Sequence, residues 1–209
     1  MKFEKVLEIA NREPVITTGL LLAGDVDPAA LQAQLSRWVA EGRLIRLRRG
    51  KYVVAPSWSG PEPHGFALAN AIRPDSYVSC QSALSWFGLI PEHAASVVSV
   101  AGGRTETVDT PLGSFIYRHV KPSLLWGWRD EDLPAGGGQA SVAEPEKALL
   151  DLAYLTPGAD STAYMEGLRL QSTEQLDISR LMAMARRWGK PKVVRAARAA
   201  AEVALGERP

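Results

Sequence analysis

Residues 44–54 read LIRLRRGKYVV. Leu44, Ile45 and Leu47 stand before a turn at Arg48, Arg49 and Gly50, and Tyr52, Val53 and Val54 follow it, which suits two antiparallel strands joined as a hairpin. Four cations, Arg46, Arg48, Arg49 and Lys51, fall within this short stretch. What a cationic hairpin belongs to depends on what precedes it.

What precedes it is helical. Phe3, Val6, Leu7, Ile9 and Ala10 recur at the spacing of an amphipathic helix between Lys2 and Asn11, and Pro14 ends it. Thr17 or Thr18 can cap a second short helix with Leu20, Leu21 and Leu22 inward and a turn at Gly24 and Asp25. Asp27 followed by Pro28 is a strong third start: the carboxylate accepts from free backbone N–H groups, and proline fills the first helical position, where no donor is needed. That helix runs to about Gly42, with Leu31, Leu35, Trp38 and Val39 on its core face and Gln32, Gln34, Ser36 and Arg37 outside it. Three helices and a hairpin predict a winged helix-turn-helix. Its polar helix face is fit for base edges and phosphates in a major groove, and Arg43, Arg46, Arg48, Arg49 and Lys51 on and beside the wing are placed for a phosphate backbone. The same cations can also simply keep a sheet edge soluble.

Charge is distributed accordingly. The whole chain is nearly neutral, at +1, but residues 1–56 carry nine basic and six acidic groups, 57–180 carry eight and fifteen, and 181–209 carry seven and two. Basic ends around an acidic middle direct any polyanion contact to the ends. The charged beginning MKFEKVLEIANRE lacks the apolar core of a signal peptide, and no run of eighteen apolar residues occurs, so the expected location is cytoplasmic, without membrane.

After a Pro-, Gly- and Ser-rich linker at 57–65, elements alternate: a helix near GFALANAI, an extended SYVS, a helix in CQSALSWFG, and strands in SVVSVAG and SFIYRHV. Within LLWGWRDEDLPAGGGQASVAEPEKALLDLAYL the pattern reads as a short apolar strand, an acidic glycine-rich loop, a short strand and a helix starting at Pro145 with Ala148, Leu149, Leu152 and Leu155 inward. From about Ser161 the chain reads as helices, the last with Arg195, Arg198 and Glu202 on one side. The expected fold class is α+β: a winged helix-turn-helix domain at 1–56, then a larger mixed α/β domain at 66–209 with a helical C-terminal end.

Four stretches in this order, GRLIRLRRGKYVVAP, YVSCQSALSWFGLIPE, TPLGSFIYRHVKP and AEPEKALLDLAYL, resemble the AbiEi-type antitoxins of type IV toxin-antitoxin and abortive-infection systems. The resemblance spans roughly residues 3–156, and SALSWFGLIPE followed by EPEKALLDL is its most specific part. It implies a winged helix that binds repeats in its own promoter through the Gln32–Arg37 face and the Arg46–Lys51 wing. It further implies a C-terminal domain that counters a nucleotidyltransferase toxin, by direct or functional contact. A dimer on double-stranded DNA would match repeated half-sites. Two alternatives stay open at this level: an antitoxin that modifies its toxin enzymatically, in a kinase-like way, and a ligand-sensing regulator without a toxin.

The residue types that carry chemistry elsewhere have plainer readings here. Glu144, Glu146, Lys147 and Asp151 resemble part of a metal-dependent nuclease, but Pro145 stands where an acidic residue two positions before the lysine is required. Glu144 and Glu146 instead suit a helix N-terminus, and Lys147 can pair with Asp151 one turn on. Cys80 reads as a half-buried structural thiol without a basic neighbour, and His119 as a sheet-surface residue beside Phe115 and Tyr117. GGRTETVD and AGGGQ lack the spacing and lysine of a phosphate loop and read as flexible turns. With one cysteine and His64, His93 and His119 as the histidines, no metal or cofactor is expected, nor an enzyme. Arg186, Arg187, Lys190, Lys192, Arg195 and Arg198 are either a further contact with nucleic acid or protein, or a solvated face.

Overall fold

The computed structural model describes residues 1–22, 26–59, 63–92, 94–134 and 137–206. The expected turn at Gly24 and Asp25, His93, part of the linker and the start of AGGGQ lie outside them. The N-terminal unit comprises helices α1 (Phe3–Ala10), α2 (Thr18–Leu21) and α3 (Pro28–Ala40) and strands β1 (Ile16–Thr17), β2 (Leu44–Arg48) and β3 (Lys51–Val54). The strands form one antiparallel sheet in the order β1-β3-β2. The helix starts follow the capping chemistry: the Thr17 hydroxyl accepts from the Leu20 N–H at 3.3 Å, and Asp27 accepts from the Ala30 N–H at 2.8 Å. Leu31, Leu35 and Trp38 of α3 are buried with Phe3, Val6, Ile16 and Leu21 in one core. Leu20, expected inward, is exposed, because a four-residue helix turns only one of three consecutive leucines, Leu21, fully to the core.

Two short helices, α4 (Pro56–Ser59) and α5 (Gly65–Ile72), lead into a six-stranded sheet. Its strands are β4 (Ser76–Val78), β5 (Ser96–Ala101), β6 (Glu106–Thr110), β7 (Gly113–His119), β8 (Trp128–Asp132) and β9 (Gln139–Ala143), ordered β6-β7-β5-β4-β9-β8. The pairs β5–β7 and β4–β9 are parallel and the others antiparallel. Helix α6 (Cys80–Trp86) follows β4; α7 (Pro145–Leu155), α8 (Thr162–Gly167), α9 (Ile178–Trp188) and α10 (Pro191–Gly206) close the chain. Side-chain alternation along β7 shows how the layers lie. The Tyr117 hydroxyl donates to the Ala69 carbonyl of α5, while Arg118, on the other face, donates to the Leu155 carbonyl of α7. Helices therefore cover both faces, and the architecture is the expected α+β.

Two stretches differ from the sequence expectation. The second half of GGRTETVD, from Glu106, lies in strand β6 rather than a turn, and β6 pairs with β7 through all five of its positions. The acidic WRDED is strand β8 rather than a loop, paired with β9. Both are edge strands, where solvent accepts charge and neighbours on one side complete the ladder. The expected short apolar strand at the start of LLWGW does not form: Leu124 ends a 3-10 turn, Pro122–Leu124, and Leu125 and Trp126 follow it without regular structure.

The hairpin β2–β3 is buried on both faces. Leu44, Tyr52 and Val54 join the N-terminal core, whereas Val15, Leu47 and Val53 belong to the core of the larger unit. Residues of β2 also lie beside β6. The wing is thus a shared wall between the two units.

Candidate nucleic-acid interface

The exposed stripe of α3 is built from Ala29, Gln32, Ala33, Ser36, Arg37 and Ala40, opposite the core face. Alanines keep this face low, so a surface laid against it approaches the helix closely. Gln32 and Arg37 project freely, while the Ser36 hydroxyl donates back to the Gln32 carbonyl at 2.9 Å. Gln34 sits at the margin, its amide oxygen accepting from the Met1 ammonium at 3.2 Å.

The hairpin turn is held by Thr18, whose N–H and hydroxyl both donate to the Gly50 carbonyl, at 2.9 and 3.1 Å. Gly50 has φ +75°, and a Cβ there would stand 2.6 Å from the Thr18 hydroxyl oxygen, so glycine is required twice over. The five hairpin cations separate into two groups. Arg46 and Arg49 are exposed and make no ion pair among the described residues. The other three are engaged. Arg43 pairs with Glu41 at 2.9 Å and lies over the Phe3 and Trp58 rings, at 5.5 and 5.0 Å. Arg48 pairs with Glu106 of β6 at 3.6 Å, and Glu106 is shared with Arg73 at 3.4 Å. The Lys51 ammonium donates to the Ala71 and Ile72 carbonyls, at 2.5 and 3.1 Å, at the C-terminal end of α5. There it meets the negative end of the helix, and burial, with Arg48 adding to it, holds its pKa below the usual lysine value. The expected tip of Arg48, Arg49 and Lys51 therefore presents Arg49 outward, with Arg46 beside it; Arg48 and Lys51 tie the wing to the larger unit. No sequence signal near Lys51 announces this, since its acceptors lie twenty residues away.

The second cluster lies in the larger unit and is fully buried. Lys147 donates to Asp151 at 2.5 Å and to the Tyr77 hydroxyl at 2.7 Å; Tyr77 and Ser79 donate to the other Asp151 oxygen, at 3.1 and 2.7 Å. Both charged side chains have no exposed surface. Three rings surround the ammonium, with Trp188 of α9 at 4.4 Å and Tyr77 and Trp126 each at 5.2 Å. Burial pushes the Asp151 carboxyl up and the Lys147 ammonium down, and each opposes the shift in the other. The flanking carboxylates reach the same helix: Glu146 accepts from the Asp177 N–H at 2.8 Å, and Glu144 pairs with Arg180 at 2.5 Å. The EPEK motif docks α9 onto α7. Its acids and lysine are engaged in packing rather than open to a substrate. Cys80, expected half-buried, is fully buried beside this cluster and its thiol is pushed up by burial, whereas His119 is exposed on the sheet. Among the described residues no group of three or more His, Cys, Asp or Glu side chains is placed to hold a metal ion, and no helix is long and apolar enough to cross a membrane.

Comparison with known proteins bears on the N-terminal unit and on the fold. No curated protein matches the chain. Among solved structures, the crystal structure of the RV2827C protein from Mycobacterium tuberculosis is similar over 99% of this chain and 81% of that one, at 15% identity and a TM-score of 0.56. That likeness is one of fold. The family model described as "Transcriptional regulator, AbiEi antitoxin" matches residues 4–55, the segment that forms the three helices and the hairpin. The N-terminal unit of this chain therefore carries the signature of the AbiEi antitoxin transcriptional regulators.

Proposed function

We propose that this protein is a DNA-binding antitoxin that represses its own operon and whose larger unit counteracts a nucleotidyltransferase toxin. The observation that carries the reading is a coincidence in space: residues 4–55, which match the AbiEi regulators, expose Gln32, Ser36 and Arg37 on one helix stripe and Arg46 and Arg49 on the adjoining hairpin. A helix fits the major groove of duplex DNA, and cations beside it meet phosphates on the groove wall. Two copies on repeated half-sites would place their α3 helices about one helical turn, roughly 10 base pairs, apart or a multiple of it. Neutralisation of the toxin is read as binding without catalysis, in the cytoplasm. The structural use of Glu144, Glu146, Lys147 and Asp151 supports that reading.

Fluorescence anisotropy tests the DNA half. A labelled duplex from upstream of the protein's own gene should bind selectively over a scrambled duplex, and less tightly as salt rises. Replacing both Arg46 and Arg49 by Ala should flatten the log–log salt slope by about 1.8, at about 0.9 per phosphate contact. An unchanged slope would remove these residues from the interface. Co-expression with the neighbouring toxin tests the other half: growth should be restored. The toxin's mass should be unchanged after incubation with this protein, ATP and Mg²⁺; a mass gain would favour an enzymatic antitoxin.

A further inference from the structure

The six cations between residues 186 and 198 divide into two that hold the fold together and four that converge on one surface. Arg187 lies over the Trp126 ring at 4.2 Å. Lys192 donates to the carbonyls of Tyr154 and Thr156, at 3.3 and 2.6 Å, closing the C-terminal end of α7. Arg186 in the last turn of α9, Lys190 in the connection, and Arg195 and Arg198 on α10 line a single open groove of about 430 Å³, with Val194 among its walls. Arg195 has a carboxylate partner, Asp160, at 2.6 Å. Arg186, Lys190 and Arg198 are exposed and form no ion pair among the described residues.

The two helices that carry these cations are firmly seated. Helix α10 is seated by Val193, Ala196, Ala197 and Ala200, all buried, and α9 by Leu181, Ala185 and Trp188. Arg195 and Arg198 stand three residues apart and so project from one helix face. Four cations against two carboxylates, Asp160 and Glu202, leave a net positive potential on this surface, a charge that a bound polyanion neutralises with release of counterions. The groove is open to solvent, as a polymer backbone requires, and carries no aromatic side chain for stacking a base. We propose that it is a second nucleic-acid contact, taking the phosphodiester backbone without reading sequence. It lies outside residues 4–55 and depends on neither the α3 stripe nor the wing.

The test uses the full chain carrying Arg186→Gln, Lys190→Gln and Arg198→Gln, which leaves the Arg195–Asp160 pair intact. Anisotropy is measured across a salt series with a labelled duplex of unrelated sequence and with a labelled RNA strand, for wild type, this variant, the Arg46→Ala, Arg49→Ala variant and the combination of the two. Circular dichroism and the melting temperature establish that each variant is folded. The groove variant should bind at least tenfold more weakly at low salt, and its log–log slope should fall by up to about 2.7 on the duplex or about 2.1 on the single strand. The loss should persist in the hairpin background. A loss confined to one probe upholds the proposal and identifies which nucleic acid the groove takes. Equal affinity and slope for wild type and variant on both probes, or no wild-type binding to either at low salt, overturns it. If the upstream duplex of the preceding experiment binds wild type no better than its scrambled control while the groove-dependent slope is retained here, the α3 and hairpin reading alone is at fault.

Discussion

The wing and helix α7 each turn a lysine away from water, by different means. Lys51 keeps part of its surface exposed and rests on two neutral carbonyls at the end of α5; Lys147 is wholly enclosed by the Asp151 carboxylate, the Tyr77 phenol and the rings of Trp126 and Trp188. The first is a tether whose loss leaves two neutral backbone acceptors and no stranded charge. The second is a lock, because removing the cation strands a buried carboxylate. A lysine's role is therefore set by what its removal would leave behind, more than by how many bonds it makes.

The largest effect that would test this contrast is at Lys147. Lys147→Met should destabilise the fold by about 3–5 kcal/mol in urea unfolding, since Asp151 stays buried without its partner, and Lys147→Met combined with Asp151→Leu should recover much of the loss. A single variant within about 0.5 kcal/mol of wild type would show that the pair is not the lock described. Lys51→Met should cost less, about 1 kcal/mol, as a partly exposed ammonium leaves two carbonyls. Hydrogen exchange should then quicken at β2 and β3 while the sheet around β4 and β5 stays protected; uniform acceleration would mean that Lys51 supports the whole fold rather than the wing.

The smallest effect concerns the start of α5, at the opposite end from the Lys51 acceptors. His64 caps this helix as a neutral ring, Nδ1 accepting from the Phe66 N–H at 3.2 Å, and burial lowers its pKa below the usual 6.5. The unfolded chain then binds the proton more readily, so the contribution is complete above pH 6.5 and is lost as pH falls from there through the folded value. In His64→Asn, which can also cap, the urea midpoint should lose that part of its pH dependence. An identical pH profile would exclude His64 as its source.

Much of this was legible in the chain. The caps at Thr17 and Asp27, the apolar face of α3, and Pro145 at the start of α7 are local features, with cause and consequence a few residues apart, and they fall where expected. The misreadings share a different origin. Gly102 and Gly103 drew attention from the β-forming alternation of TETVDT, and the acidic residues of WRDED resembled a loop because their strand partner comes after the glycines. Lys147 with Asp151 had the spacing of a solvated pair; the signal against it was the apolar run around them, ALL and LAYL, which gives a helix little polar face. For the interface, the α3 stripe was readable from periodicity, whereas the diversion of Arg48 and Lys51 depends on Glu106 and on the end of α5, contacts that only the tertiary fold creates.

The roof over Lys147 has a consequence for biosynthesis. Trp188 leaves the ribosome well after Tyr77, Lys147 and Asp151, so the sheet with α7 has its charged centre assembled before the ring that shields it is available. A nascent or prematurely terminated chain lacking α9 would offer water a way to that ammonium and expose the apolar surface around Trp126, the kind of surface that chaperones and proteases inspect. Arrival of α9 thus seals this charged centre, and an error in the message before Trp188 is exposed in the interior of the larger unit.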